Sequence, residues 1–177
     1  MPYPLFAALL FLLACTSPQY DDAGTQSTTS SIDRAPTTTY YFIRHAEKDL
    51  GDSSDPALTA EGQARAQEWA DYFANKKIDA VYSTNTQRTQ STAAPTARAA
   101  GVSVQTYDTS EVPGPAFRRA TEGKNVVVVG HSNTIPDAVN ALTGKRQYSD
   151  IDESEYGHLY TVTVKRGKAK VRHREFE

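Results

Sequence analysis

The sequence predicts an α/β domain, a three-layer sandwich with a mostly parallel central sheet and helices on both faces. Three observations carry the prediction. From about Thr38 onward, β-branched and aromatic runs alternate with amphipathic runs of helical period. Val126 to Val129 is an unbroken run of valines, the pattern of a strand covered on both faces. Polar and charged clusters follow three of the strand-like runs, where open α/β sheets place their sites.

The chain has 177 residues, and its first 37 differ in texture from the rest. Leu5 to Ala14 is apolar and uncharged. It is too short to span a bilayer, which takes about 20 apolar residues, and has the length of a signal-peptide core. It ends in Leu12-Leu13-Ala14-Cys15, which resembles the lipobox of bacterial lipoproteins, although Met1 to Pro4 carries no Lys or Arg. The resemblance implies that Cys15 is lipidated and becomes the mature N-terminus. Thr16 to Thr37 is rich in Ser and Thr and poor in large aliphatics, so it reads as a flexible tether. The expected organisation is a lipoprotein signal peptide over 1–15, a tether over 16–37 and a folded domain over 38–177. The expected address is the bacterial cell envelope, facing the periplasm on a lipid anchor.

Within the domain, Thr39 to Ile43 predicts a strand. Thr59 caps a predicted helix running to about Asn75, with Glu61 in its first turn and Ala66, Trp69, Ala70 and Phe73 on its buried face. Ala80 to Ser83 predicts a short strand. Gln87 to Ala100 predicts a helix that Pro95 bends or limits and Gly101 ends. Val102 to Tyr107 predicts a strand and Pro115 to Glu122 a short helix. After the valine strand, Thr134 to Leu142 is helical, with Pro136 early, where proline is tolerated. Leu159 to Lys165 and Lys168 to Arg174 predict a hairpin about Arg166-Gly167. Lys168, Lys170, Arg172 and Arg174 fall on one face of the last strand, as expected for an edge strand guarded by charge.

Composition excludes some functions. Lys plus Arg is 19 and Asp plus Glu is 21, so nothing in the net charge of −2 suggests nucleic acid as a partner. The single cysteine, Cys15, excludes an internal disulfide and a cysteine-cluster metal site.

The chemistry-bearing clusters are Arg44-His45-Ala46-Glu47-Lys48, Ser83 through Arg88-Thr89, and Gly130-His131-Ser132-Asn133. If their strands are neighbours, two arginines and two histidines converge. Arginine matches phosphate oxygens with a planar fork of donors and stays charged. A neutral imidazole is a competent nucleophile at phosphorus.

In this order and placement, with Leu58-Thr59-Ala60-Glu61-Gly62 and Arg65-Ala66 at the first helix, the chain resembles the histidine phosphatase, or phosphoglycerate mutase-like, superfamily. The resemblance implies that His45 is the nucleophile that becomes phosphorylated. It implies that Arg44, Arg88 and His131, with Ser132, hold the phosphoryl group. It implies no metal and no organic cofactor. It also implies an acid after the second arginine that protonates the leaving oxygen, with Glu111 preferred over Asp108. The expected substrate is a phosphorylated small molecule or phosphoprotein. The 42 residues between Arg88 and His131 leave little for a lid, which favours a phosphatase over a mutase.

Other readings remain beside this one. Glu47 and Lys48 belong to the site or form a local salt bridge. Gly130-His131-Ser132-Asn133-Thr134 also resembles a serine-hydrolase elbow, with Asp152 and His158 or His173 completing a triad. A non-catalytic phospho-ligand-binding lipoprotein on the same fold is a further alternative. Outside that triad, His158 and His173 read as ordinary surface or packing histidines.

Overall fold

The computed structural model describes residue 1, residues 35–51 and residues 53–177. The signal-peptide, lipidation and tether expectations up to residue 34, Cys15 included, lie outside the described residues. Every element below belongs to the unit Arg34–Glu177.

The elements follow in chain order as β1 (Thr37–Arg44), α1 (Ala60–Phe73), β2 (Ala80–Ser83), α2 (Gln87–Ala100), β3 (Val104–Thr106), α3 (Pro115–Ala120), β4 (Asn125–Gly130), α4 (Thr134–Thr143), β5 (His158–Lys165) and β6 (Lys168–Glu175). One six-stranded sheet runs in the order β3-β2-β4-β1-β5-β6. The first four strands pair in parallel, and β5 and β6 add antiparallel pairs at one side. The valine strand is therefore central, as its continuous apolar run demands.

Alternation along that strand divides the core. Val126 and Val128 face Phe117, Ile135, Val139 and Leu142 with Tyr40 and Phe42. Val127 and Val129 face Trp69, Phe73, Ala93 and Ala97 with Ile43 and Val81. Helices α3 and α4 thus cover one face, and α1 and α2 the other. This is the predicted three-layer sandwich.

Local chemistry sets the boundaries. Thr59 caps α1 by accepting from the Gly62 amide at 3.1 Å, which satisfies one of the orphan donors of the first turn. The bend expected at Pro95 does not break α2, which runs through it and ends at Gly101 in the left-handed region (φ 68°). Strand β1 begins at Thr37, a residue the sequence assigns to the tether. Pairing with Lys165 on β5 draws it into the sheet. Strand β6 is an edge, and its four basic side chains are all exposed.

Candidate active site

The site begins with strand register. Arg44 lies opposite Gly130 in the parallel β1–β4 pair. The next residue of each strand is a histidine. The His45 amide donates to the Gly130 carbonyl at 2.9 Å, locking the two strand ends together. The His45 and His131 rings lie 5.6 Å apart, edge to face. On the other side of β4, Ser83 at the end of β2 lies opposite Val129, so Thr84 and the start of α2 border the same pocket. Gly130 is required where it stands: a Cβ there would press on the Tyr107 hydroxyl and on Ile135 at 2.9 Å.

His45 is almost fully buried, at 3% exposure. Its Nδ1 lies 2.8 Å from the Ala46 carbonyl oxygen. A carbonyl only accepts, so Nδ1 carries the proton and Nε2 keeps its lone pair. Burial, chiefly, lowers the His45 pKa to about 3, and the charges of Arg44 and Arg88 lower it further against the opposing Ala46 bond. The imidazole is neutral at physiological pH.

His131 is fixed in the opposite sense. Arg88 donates from Nη2 to His131 Nδ1 at 3.4 Å. The His131 proton therefore sits on Nε2, 2.9 Å from the Thr84 hydroxyl. Burial first, then Arg88 and Arg44, lower its pKa to about 4. Arg88 also donates from Nη1 to Asp55 at 3.4 Å, and Asp55 accepts from the Gln87 amide at the start of α2.

Arg44 is completely buried. Its Nη1 donates to the carbonyls of Asp152 and Glu155, both at 2.7 Å, and Nη2 pairs with Glu153 at 3.0 Å. The Tyr156 ring packs against the guanidinium at 4.4 Å and lies 6.1 Å from His45. The Nε–H groups of both Arg44 and Arg88 are buried without an acceptor. Buried donors normally find partners, so the two Nε–H groups are unspent donors on the arginines whose charges act on the His45 ring.

Glu153 is the residue that sequence reasoning missed. Its carboxylate accepts from Ser132 at 2.7 Å and pairs with Lys48 at 3.1 Å and with Arg44. The Ser132 bond, then Lys48 and Arg44, hold its pKa down at about 2. It thus engages donors that a phosphoryl group would need. Nothing near Glu153 in sequence announces this, because the loop before β5 meets the strand ends only after folding.

The remaining expectations sort plainly. Arg44, His45, Arg88, His131 and Ser132 come together. Glu47 forms a 2.6 Å pair with Arg65, whereas Lys48 reaches Glu153. Asp108 turns into its own loop, accepting from the Ser110 amide and hydroxyl. Glu111 is exposed and lines a separate cavity with Tyr82, Tyr107 and Phe117, which holds neither histidine of the site nor either of its arginines. Ser132 bonds to a carboxylate, while His158 bonds to His173 and Glu155, so among the described residues neither histidine hydrogen-bonds Ser132.

The model of the histidine phosphatase superfamily (branch 1) matches residues 40–109. No curated protein matches the chain in sequence. Among solved structures, the chain is similar to the protein histidine phosphatase SixA complexed with tungstate (17% identity, TM-score 0.62, 77% of this chain and 96% of that one). It is also similar to a candidate phosphohistidine phosphatase SixA of Nakamurella multipartitia (22%, 0.57, 80% and 97%). A third is the mycobacterial glucosyl-3-phosphoglycerate phosphatase with VO3 (12%, 0.61, 79% and 99%). At these identities the likeness is one of fold.

Proposed function

We propose that this chain is a member of the histidine phosphatase superfamily, a reading supported by the match over residues 40–109 and by its fold, and that it hydrolyses phosphomonoesters or phosphoramidates through a phosphohistidine on His45. The observation that carries the reading is the His45 tautomer. Its Nδ1–H is spent on Ala46, and its Nε2 lone pair belongs to a neutral ring ringed by Arg44, Arg88 and His131.

In the first step His45 Nε2 attacks phosphorus. A new N–P bond forms, the P–O or P–N bond to the leaving group breaks, and its electron pair departs with that group. Arg44 and Arg88 neutralise the equatorial oxygens as charge develops, and His131, bonded to Thr84 and Arg88, holds Arg88 in place. In the second step water attacks phosphorus, the N–P bond breaks, and the proton released by water goes to solvent.

The leaving atom draws its proton from solvent. Glu153 and Asp55, the carboxylates on the site's cations, are tied up in ion pairs, and a group held at about 2 is a poor acid at neutral pH. Turnover should therefore rank substrates by leaving-group basicity, with aryl phosphates and phosphoramidates ahead of alkyl phosphates. A cavity of about 300 Å³ beside Arg88, lined also by Lys48, Ser53 and Ser54, offers room for a small polar leaving group.

A substrate panel on the wild type and His45→Ala tests the reading. The expected result is acid-labile labelling of the wild type and loss of at least 1,000-fold in turnover with His45→Ala, on the scale of removing a nucleophile. Activity that survives His45→Ala, or a wild type that neither labels nor turns over, would sink it; the second outcome favours the non-catalytic ligand-binding alternative.

The lipobox-like Leu12-Leu13-Ala14-Cys15 supports a lipid anchor at Cys15 and an envelope address. Among the described residues, no helix is long and apolar enough to cross a membrane.

A further inference from the structure

The β5–β6 hairpin carries a second cluster that the phosphatase chemistry does not use. His158 lies opposite Glu175 and Tyr160 opposite His173, so all four side chains share one face. The His158 and His173 rings stack at 5.0 Å with 9° between planes, and His158 Nδ1 lies 2.8 Å from His173 Nε2. A Glu175 oxygen lies 4.0 Å from the first nitrogen and 3.9 Å from the second. These three ligand atoms lie within 4.8 Å of one another, a grouping capable of holding a metal ion.

The tautomers decide what the cluster can do. Glu155 lies 2.9 Å from His158 Nε2. It accepts the Nε2–H, which leaves the His158 Nδ1 lone pair directed at His173. A carboxylate on the far nitrogen is the arrangement that orients metal-ligating histidines. Two nitrogens facing each other share one proton in the empty site, supplied by His173 Nε2–H. On metal binding that proton moves to His173 Nδ1, and both lone pairs face the ion.

We infer that His158, His173 and Glu175 form a binding site for a divalent transition metal of the zinc type, with Glu155 as the residue that positions His158. Zinc bonds of about 2.0–2.2 Å put tetrahedral ligands about 3.3 Å apart. The two nitrogens need to open by about 0.5 Å, and the carboxylate to close by about 0.6–0.7 Å. Rotation of the partly exposed His173 ring can supply the opening movement, and the flexible Glu175 side chain, 70% exposed, the closing one. Its exposure also leaves the fourth position to water. Two imidazoles and a carboxylate suit zinc better than calcium or magnesium, which prefer oxygen donors. His158 is buried at 8%, and Tyr160 and Tyr148 wall the site against the His173 ring at 4.3 and 5.8 Å.

The site has a structural consequence. The Glu155 carbonyl accepts from Arg44 and its carboxylate accepts from His158. A bound ion would therefore tie β6 to the loop that grips Arg44.

The test is titration of the full chain with Zn²⁺ by calorimetry, and with Co²⁺ by visible absorption. The expected result is one equivalent bound, with affinity reduced tenfold or more in His173→Gln and in Glu175→Gln. Glu155→Ala should weaken binding, and Glu155→Gln, whose amide oxygen still accepts from Nε2, should restore it. His45→Ala should bind as the wild type does. Unchanged circular dichroism of His173→Gln and Glu175→Gln checks that each folds. Equal uptake by the wild type and folded His173→Gln, or no uptake by the wild type, overturns the inference. Loss of uptake in His45→Ala would assign the metal to the phosphate pocket and overturn it as well.

Discussion

At the scale of single residues, the site is organised by which proton goes where. His45 and His131 are both neutral, yet they present opposite nitrogens because Ala46 accepts from one ring and Arg88 donates to the other. Their low pKa values have a thermodynamic consequence. Near pH 6.5 the unfolded chain binds protons that the folded site refuses until about pH 4 for His131 and about pH 3 for His45. Stability should fall as pH drops through that window. Urea unfolding at pH 7 and pH 4.5 should show His45→Gln losing less stability than the wild type, by up to about 1.4 kcal/mol per pH unit. Parallel pH dependence in the two proteins would contradict the burial argument. Glu153 makes a second prediction. Its carboxylate competes with an incoming oxyanion for Ser132, Lys48 and Arg44. Glu153→Gln should tighten vanadate binding about tenfold, or ~1.4 kcal/mol, measured as inhibition of aryl phosphate turnover. Weaker inhibition would mean that Glu153 helps to build the anion site.

Among the elements, α1 shows how secondary structure braces the site. The Glu47 carbonyl accepts from the Thr59 amide at 3.0 Å, and Gly62, in the first turn of the helix, lets that backbone come close. A Cβ at Gly62 would collide with the Glu47 carbonyl oxygen. Glycine to alanine inside a helix ordinarily gains about 1 kcal/mol. Here the sign should reverse: Gly62→Ala should cost about 1–3 kcal/mol, as overpacking does, and lower turnover by shifting the strand end that bears His45. Thr59→Ala, which only removes the cap, should cost about 1 kcal/mol. Chemical denaturation of both variants checks the order. The terminal hairpin teaches a different lesson. Arg166 and Gly167 both have positive φ, 53° and 72°, joining Lys165 to Lys168 through a two-residue turn. Such a turn fixes register. The pairing of His158 with Glu175 was therefore within reach of the sequence, once that turn was taken as the pivot. Reading the two histidines as ordinary surface or packing residues agrees with their stacking on Tyr160 but leaves their pairing with each other unread.

For the whole molecule, sheet order is decisive. Strand β4 lies between β2 and β1, so the three clusters that lie far apart in the chain end side by side. If Cys15 is lipidated, Cys15→Ser should move the protein from membrane to soluble fractions and change its mature mass. A domain beginning near Ala35 should keep full turnover, since every described element lies beyond that point. Unchanged fractionation would remove the anchor without touching the phosphatase reading. What the sequence by itself determined was the layering and the placing of Arg44, His45, Arg88 and His131 in the segments where strands end. Periodicity reports which faces are buried, and strand-end placement reports where chemistry gathers. Only the tertiary structure decided the tautomers, because these depend on Ala46, Arg88 and Thr84 at hydrogen-bond distance. It alone brought Glu153 onto Ser132, Arg44 and Lys48 and set Glu111 in another cavity. Those outcomes depend on how loops cross strand ends, which no local periodicity encodes.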